Sequence, residues 1–146
     1  MPLDLKFTVK YRVPTRIIYE ALTTPEIMIK FTQCPVKFEN NIGGSFSLYN
    51  DYITGTNQEL VSNTKIVQKW KQGNWKEYAD LTILFKEASG DESVLLITLK
   101  GIPERDTCNQ YVDIKQVEAG WKSQIFQKIN DYLGYPLNKD ADEDSD

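Results

Sequence analysis

The feature that most limits how this chain can fold is one long amphipathic segment near its C-terminal end. Val117, Trp121, Ile125, Ile129 and Tyr132 recur every three or four residues, and Phe126 and Leu133 widen the stripe. Asp113 and Gln116 have the spacing of a capping box at its start, Gly134 stands where a C-cap belongs, and Pro136 follows. The spacing predicts a helix of about 21 residues, on the order of 30 Å long. A stripe this wide needs a broad apolar partner, and a strand of about nine residues has the same length.

The strands that supply that partner show as period-two patterns. Leu3, Leu5, Phe7, Val9 and Tyr11 alternate with Asp4, Lys6, Thr8 and Lys10, which reads as a half-buried strand. Val13-Pro14-Thr15 ends it, and Ile17, Ile18, Ala21 and Leu22 take up helical spacing. A second short helix starts at Thr24-Pro25-Glu26, with Thr24 as N-cap and Pro25 at the first helical position, and ends near Cys34-Pro35. From Pro35 to about Pro103 the chain reads as strands and turns, the turns falling at 40–44, 50–51, 72–74 and 89–91. Between them Phe46 and Leu48 alternate with serines, Tyr52 to Leu60 is a weaker strand, and Ala79, Leu81, Ile83 and Phe85 alternate cleanly. Val94 to Ile97 reads as a strand apolar on both faces. Short connections imply antiparallel neighbours. The expected fold is therefore α+β: a first strand, two short helices, a meander of about six strands, and a long C-terminal helix gripped by the curved antiparallel sheet.

Composition sets the class. The chain has 146 residues, 40% of them hydrophobic, enough for one domain with its own core. The net charge of −4 is unevenly spread, since five of the 21 acids (Asp140, Asp142, Glu143, Asp144 and Asp146) stand in the last seven residues. The other 139 residues hold 16 acids against 17 Lys and Arg. The expectation is a single domain over 1–138 and a disordered acidic tail over 139–146. A nearly neutral body with an acidic tail lacks the footprint of a nucleic-acid binder. No apolar run approaches the roughly 20 residues that cross a bilayer, and Met1 to Lys6 has no signal-peptide core, so no membrane association and a cytoplasmic location are expected. Cys34 and Cys108 are expected as reduced thiols, and two cysteines without a histidine make a poor zinc ligand set.

The absence of histidine also removes Ser-His-Asp and Cys-His catalysis. No phosphate loop, dinucleotide fingerprint or Gly-x-Ser-x-Gly elbow occurs. No cofactor is expected, and the reading is of a binding protein rather than an enzyme. Lys65, Lys69 and Lys71 share one face of a strand whose other face carries Ile66, Gln68 and Trp70, and Lys76 follows the next turn. Those lysines read either as a solvated face guarding a sheet edge or as a contact for an acidic protein surface. Trp75, after Gly73-Asn74 and before Lys76-Glu77, reads as an exposed hairpin aromatic and a partner contact. Phe46, Leu48, Trp70, Trp121 and Ile125 are the candidate lining of any cavity between helix and sheet.

The run from Ile42-Gly43-Gly44-Ser45-Phe46 through Tyr52-Ile53-Thr54-Gly55-Thr56-Asn57, followed by Val67-Gln68-Lys69-Trp70, resembles the C-terminal-domain family of heat-shock protein 90 ATPase activators. Ile18-Tyr19-Glu20-Ala21-Leu22 and Gly120-Trp121 extend the resemblance over 3–135. It implies a helix-grip fold of the START and Bet v 1 kind, and a co-chaperone that binds heat-shock protein 90 and stimulates its ATPase; separately, the chain is expected to be a monomer. In that family a second, N-terminal domain also grips the chaperone. Here the first strand begins two residues after Met1, so the chain is expected to be either an excised fragment of such a protein or a stand-alone form, and a stand-alone form is expected to keep binding with weak stimulation. The alternatives on the same fold are a carrier of a small hydrophobic ligand and an enzyme of the cyclase or hydratase sort.

Overall fold

The computed structural model describes residues 2–88 and 91–134. The expected acidic tail over 139–146 lies outside them. Strand β1 (Leu3–Tyr11) is followed by helices α1 (Thr15–Thr23) and α2 (Pro25–Thr32). Six strands come next: β2 (Lys37–Phe38), β3 (Ser45–Leu48), β4 (Ile53–Val61), β5 (Lys65–Gln72), β6 (Ala79–Ala88) and β7 (Glu92–Ile102). They form one curved, seven-stranded antiparallel sheet in the order β1-β7-β6-β5-β4-β3-β2. The meander from β2 to β7 needs only short turns, and β1 closes the sheet by pairing with β7 from Leu3–Ile102 to Tyr11–Ser93. Strand β7 is longer than its apolar run suggests and it alternates: Leu95, Ile97 and Leu99 are fully buried while Val94, Leu96 and Thr98 are half-exposed.

Two local devices bend the sheet. A bulge between Asn57 and Glu59 interrupts the β4–β5 register. Two residues earlier, Gly55 lets Lys69 of β5 and Phe46 of β3 approach where a Cβ would stand. Asn57 itself is buried, and both polar atoms of its side chain are hydrogen-bonded. Gln68 Nε2 donates to its Oδ1 at 2.9 Å, and its Nδ2 donates to the carbonyl of Glu39 at 2.8 Å.

The C-terminal helical run covers 114–133 but is not one regular helix. It consists of α3 (Ile114–Trp121), a π-helical stretch (Lys122–Phe126) and α4 (Gln127–Leu133). The Asp113 side chain caps its start by accepting from Lys115 N at 2.9 Å, and Gly134 ends it with φ 77°. Pro25 occupies the first turn of α2 as expected, whereas the Thr24 side chain makes no capping bond and only its carbonyl receives the first helical N–H groups. Val117, Trp121, Ile125, Phe126 and Ile129 are buried against the inner face of the sheet.

Candidate functional site

The inner space between helix and sheet is filled by aromatic rings. Phe38 stacks on Phe46 (5.9 Å between centroids), Phe46 meets Trp70 (5.8 Å), Trp70 meets Trp121 (4.4 Å), and Trp121 stacks on Phe126 (5.6 Å). Phe46, Leu48, Trp70, Trp121 and Ile125 do line one common cavity, together with Met28 and Phe31 of α2, but its volume is about 20 Å³. That is room for about one water molecule. A larger, open cleft of about 340 Å³ lies between Tyr49, Tyr52 and Gln72 on one side and Gln116, Gly120 and Gln124 on the other. Trp70 and Trp121 separate it from the small cavity, and the indole Nε1 of Trp121 is buried without a hydrogen-bond partner.

Tyr49 lines this cleft from the β3–β4 turn. Tyr49, Asn50 and Asp51 all have positive φ (54°, 54° and 68°), a run of left-handed residues without a glycine. The Tyr49 hydroxyl donates to the carbonyl of Gln124 in the π-helical stretch at 2.5 Å. Burial, with a smaller contribution from Cys34, pushes its pKa up to about 12.

The lysines of β5 fall on the outer face, opposite Ile66, Gln68 and Trp70. Their strand is the middle of the sheet, so they guard no edge. Lys65 pairs with Glu59 at 3.3 Å and Lys69 with Asp80 at 2.5 Å, while the Lys71 ammonium lies 5.3 Å from the centre of the Tyr78 ring. Lys76 stands apart from this row, in a shallow depression beside Glu77, Glu104 and Arg105.

Trp75 is not the exposed hairpin aromatic that its neighbours in sequence suggest. It is only 5% exposed. The loop between β7 and α3 folds over it: Thr107 N donates to the Asn74 carbonyl at 2.8 Å, and Trp75 and Asp106 form an isolated bridge. The exposed rings here are Tyr52 and Tyr111, at 54% and 68%. Nothing in the sequence marks either one. Tyr52 reads as an ordinary strand residue, and no periodicity marks the 103–113 loop.

Cys34, half-buried, and Cys108, exposed, are both unbridged. Among the described residues no group of three His, Cys, Asp or Glu could hold a metal ion, and no helix is long and apolar enough to cross a membrane.

The family described as Activator of Hsp90 ATPase homolog 1-like protein matches residues 12–134. The chain is 32% identical over 118 residues to mouse activator of 90 kDa heat shock protein ATPase homolog 2, and 30% identical over 133 residues to the Dictyostelium discoideum homologue. These matches take in 80% and 90% of this chain but 33% of either relative, so the chain spans about a third of the length of the curated proteins it resembles. Among solved structures, an Hsp90 activator from Plasmodium falciparum superposes with a TM-score of 0.87 at 27% identity, covering 93% of this chain and 99% of that one. The Aha1 dimer of Colwellia psychrerythraea shares the fold, with a TM-score of 0.68 at 12% identity over 88% of this chain and 94% of that one. The superposition of sheet and helices thus agrees with the sequence match, and the chain belongs to the Activator of Hsp90 ATPase homolog 1-like family.

Proposed function

We propose that this chain is a cytoplasmic co-chaperone that binds an Hsp90-type chaperone and raises its ATP turnover without catalysing anything itself. The observation that carries the reading is the superposition on the Plasmodium falciparum Hsp90 activator, which extends over 93% of this chain. A cavity of about 20 Å³ leaves the enclosed core no room for a carried ligand, so the open cleft of about 340 Å³ beside it is the place a carrier would have to use. In physical terms the chain acts by binding one chaperone conformation more tightly than another, and the hydrolysis remains the chaperone's chemistry. Lys65, Lys69 and Lys71 on the outer face of β5, with Lys76 beyond the turn, are the proposed contact for an acidic surface. Exposed ion pairs such as Lys65–Glu59 and Lys69–Asp80 are worth about 0–1 kcal/mol, so these lysines exchange partners at little cost.

The test is chaperone ATP turnover with and without the chain, alongside calorimetric binding. A rise in turnover is expected, and Lys65→Glu/Lys69→Glu/Lys71→Glu is expected to weaken binding about tenfold, more at low salt. No binding and no rise would refute the co-chaperone reading, and unchanged binding by the triple variant would remove the lysine face from it. A thermal scan with hydrophobic probes is expected to leave Tm unmoved; a saturable rise would favour the carrier.

A further inference from the structure

We propose that a groove of about 400 Å³ at one end of the sheet, walled by Tyr52 and Tyr111, docks a lysine or arginine side chain on an extended segment of the partner. The inference rests on the co-chaperone reading, which supplies the partner, and assigns it a second contact away from the lysine face.

Both rings are exposed and yet held in place. The Tyr52 carbonyl accepts from Gly73 N at 2.8 Å, and its ring lies so close over Gly73 that an added Cβ there would meet ring atoms at 3.2–3.5 Å. Gly73, with φ 54°, thus provides both the turn and the space. Tyr111 pairs with Arg105 as an isolated bridge. The Arg105 guanidinium lies 3.9 Å from the Tyr111 ring centre, and its Nη2 donates to the Tyr111 hydroxyl at 2.6 Å. Beneath them Asp106 Oδ1 accepts from Cys108 N at 2.8 Å and Gln110 N at 3.0 Å, which fixes the loop. Aromatic side chains ordered before a partner arrives lose little entropy on binding, and tyrosine is enriched where interfaces concentrate their energy.

The charge of the groove selects the occupant. Asp106 and Asp113 line it, and no lysine or arginine does. Neither carboxylate is in an ion pair with a described residue, whereas Glu59, Asp80 and Glu118 each face a lysine at 2.5–3.3 Å. Buried Trp75 and Val117 lie at the base of the groove. One face of Tyr111 already holds the Arg105 guanidinium, so the exposed Tyr52 ring and the two carboxylates, bonded only to backbone N–H groups, are what attract a further cation and repel phosphate or an acidic segment. The Arg105 stack on Tyr111 is the same interaction made within the chain.

The test uses the full chain with two capped pentapeptides, identical except for a central arginine or glutamate, followed in ¹⁵N–¹H spectra. The arginine peptide is expected to shift the Trp75 indole and the Thr107 amide saturably, the glutamate peptide is not, and Asp113→Asn is expected to weaken the arginine response several-fold. Tyr52→Ala/Tyr111→Ala is expected to lower chaperone affinity about tenfold, with far-ultraviolet circular dichroism unchanged. Equal shifts with both peptides, or no shift with arginine, would overturn the inference. So would a double variant that binds the chaperone as tightly as the parent, and in that case the co-chaperone reading stands. An arginine-selective shift in a chain that binds no chaperone has the opposite meaning: the groove stands and the assigned partner falls.

Discussion

At Gly55 an added methyl group would lie 1.9 Å from the carbonyl oxygen of Lys69 and 2.5 Å from Phe46 Cζ. A neighbouring backbone oxygen cannot swing away as a side chain can, so Gly55→Ala must push β4 from β5. We expect it to cost about 3 kcal/mol, the upper end of overpacking effects, with Tm falling on the order of 10 °C. Gly120→Ala is the control. It has nothing within 4 Å of the new Cβ and is expected to be neutral or stabilising by about 1 kcal/mol through helix propensity. Equal Tm values for the two variants would contradict the close approach. Tyr49 gives a pH signature at the same scale. Its pKa is raised from 10.0 to about 12, so its contribution to stability is whole below pH 10 and is lost as the pH rises towards 12. An ultraviolet tyrosinate titration is expected to show a late step near pH 12 that Tyr49→Phe removes; a variant that keeps the late step and loses amplitude near about pH 10 instead would place Tyr49 in solvent.

Among the elements, the π-helical stretch is the one with the least obvious origin in local propensity. A π turn widens the helix and takes carbonyls off the regular ladder. Two of them are met from outside, Phe126 O by the Tyr11 hydroxyl at 2.6 Å and Gln124 O by that of Tyr49. The gain is that adjacent Ile125 and Phe126 both turn inward, so that Phe126 packs against Phe7 and Tyr11 of β1 while Ile125 lines the central cavity. Tyr11→Phe keeps the ring and removes the donor, leaving a buried carbonyl short of a partner. A loss of about 1–3 kcal/mol is expected, read as a lower denaturant midpoint with an unchanged m-value. An unchanged midpoint would show that the hydroxyl bond contributes nothing.

For the whole molecule, the motif residues that carry the family resemblance turn out to build the scaffold. Gly44 lies tight against Glu39, Phe46 and Trp70 are stacked core rings, and Asn57 and Gln68 bond each other across β4 and β5. None of them lines the groove between Tyr52 and Tyr111. Family membership was therefore readable from residues of the core, whereas the proposed contact surfaces carry no motif to announce them.

Periodicity, glycine–asparagine turns and helix caps are interactions between residues a few positions apart. They were enough to specify the element order, the antiparallel meander, and which face of β1, β5, β6 and the C-terminal run points inward. Trp75 needed more, because what covers it is a loop about thirty residues further on, tied down by Thr107 N on the Asn74 carbonyl. The pairing of Lys65 with Glu59 and of Lys69 with Asp80 likewise depends on strand register. So does the central position of β5, which local alternation cannot reveal. Exposure and charge pairing are decided by whatever segment arrives from elsewhere in the chain, and that is a property of the tertiary structure alone.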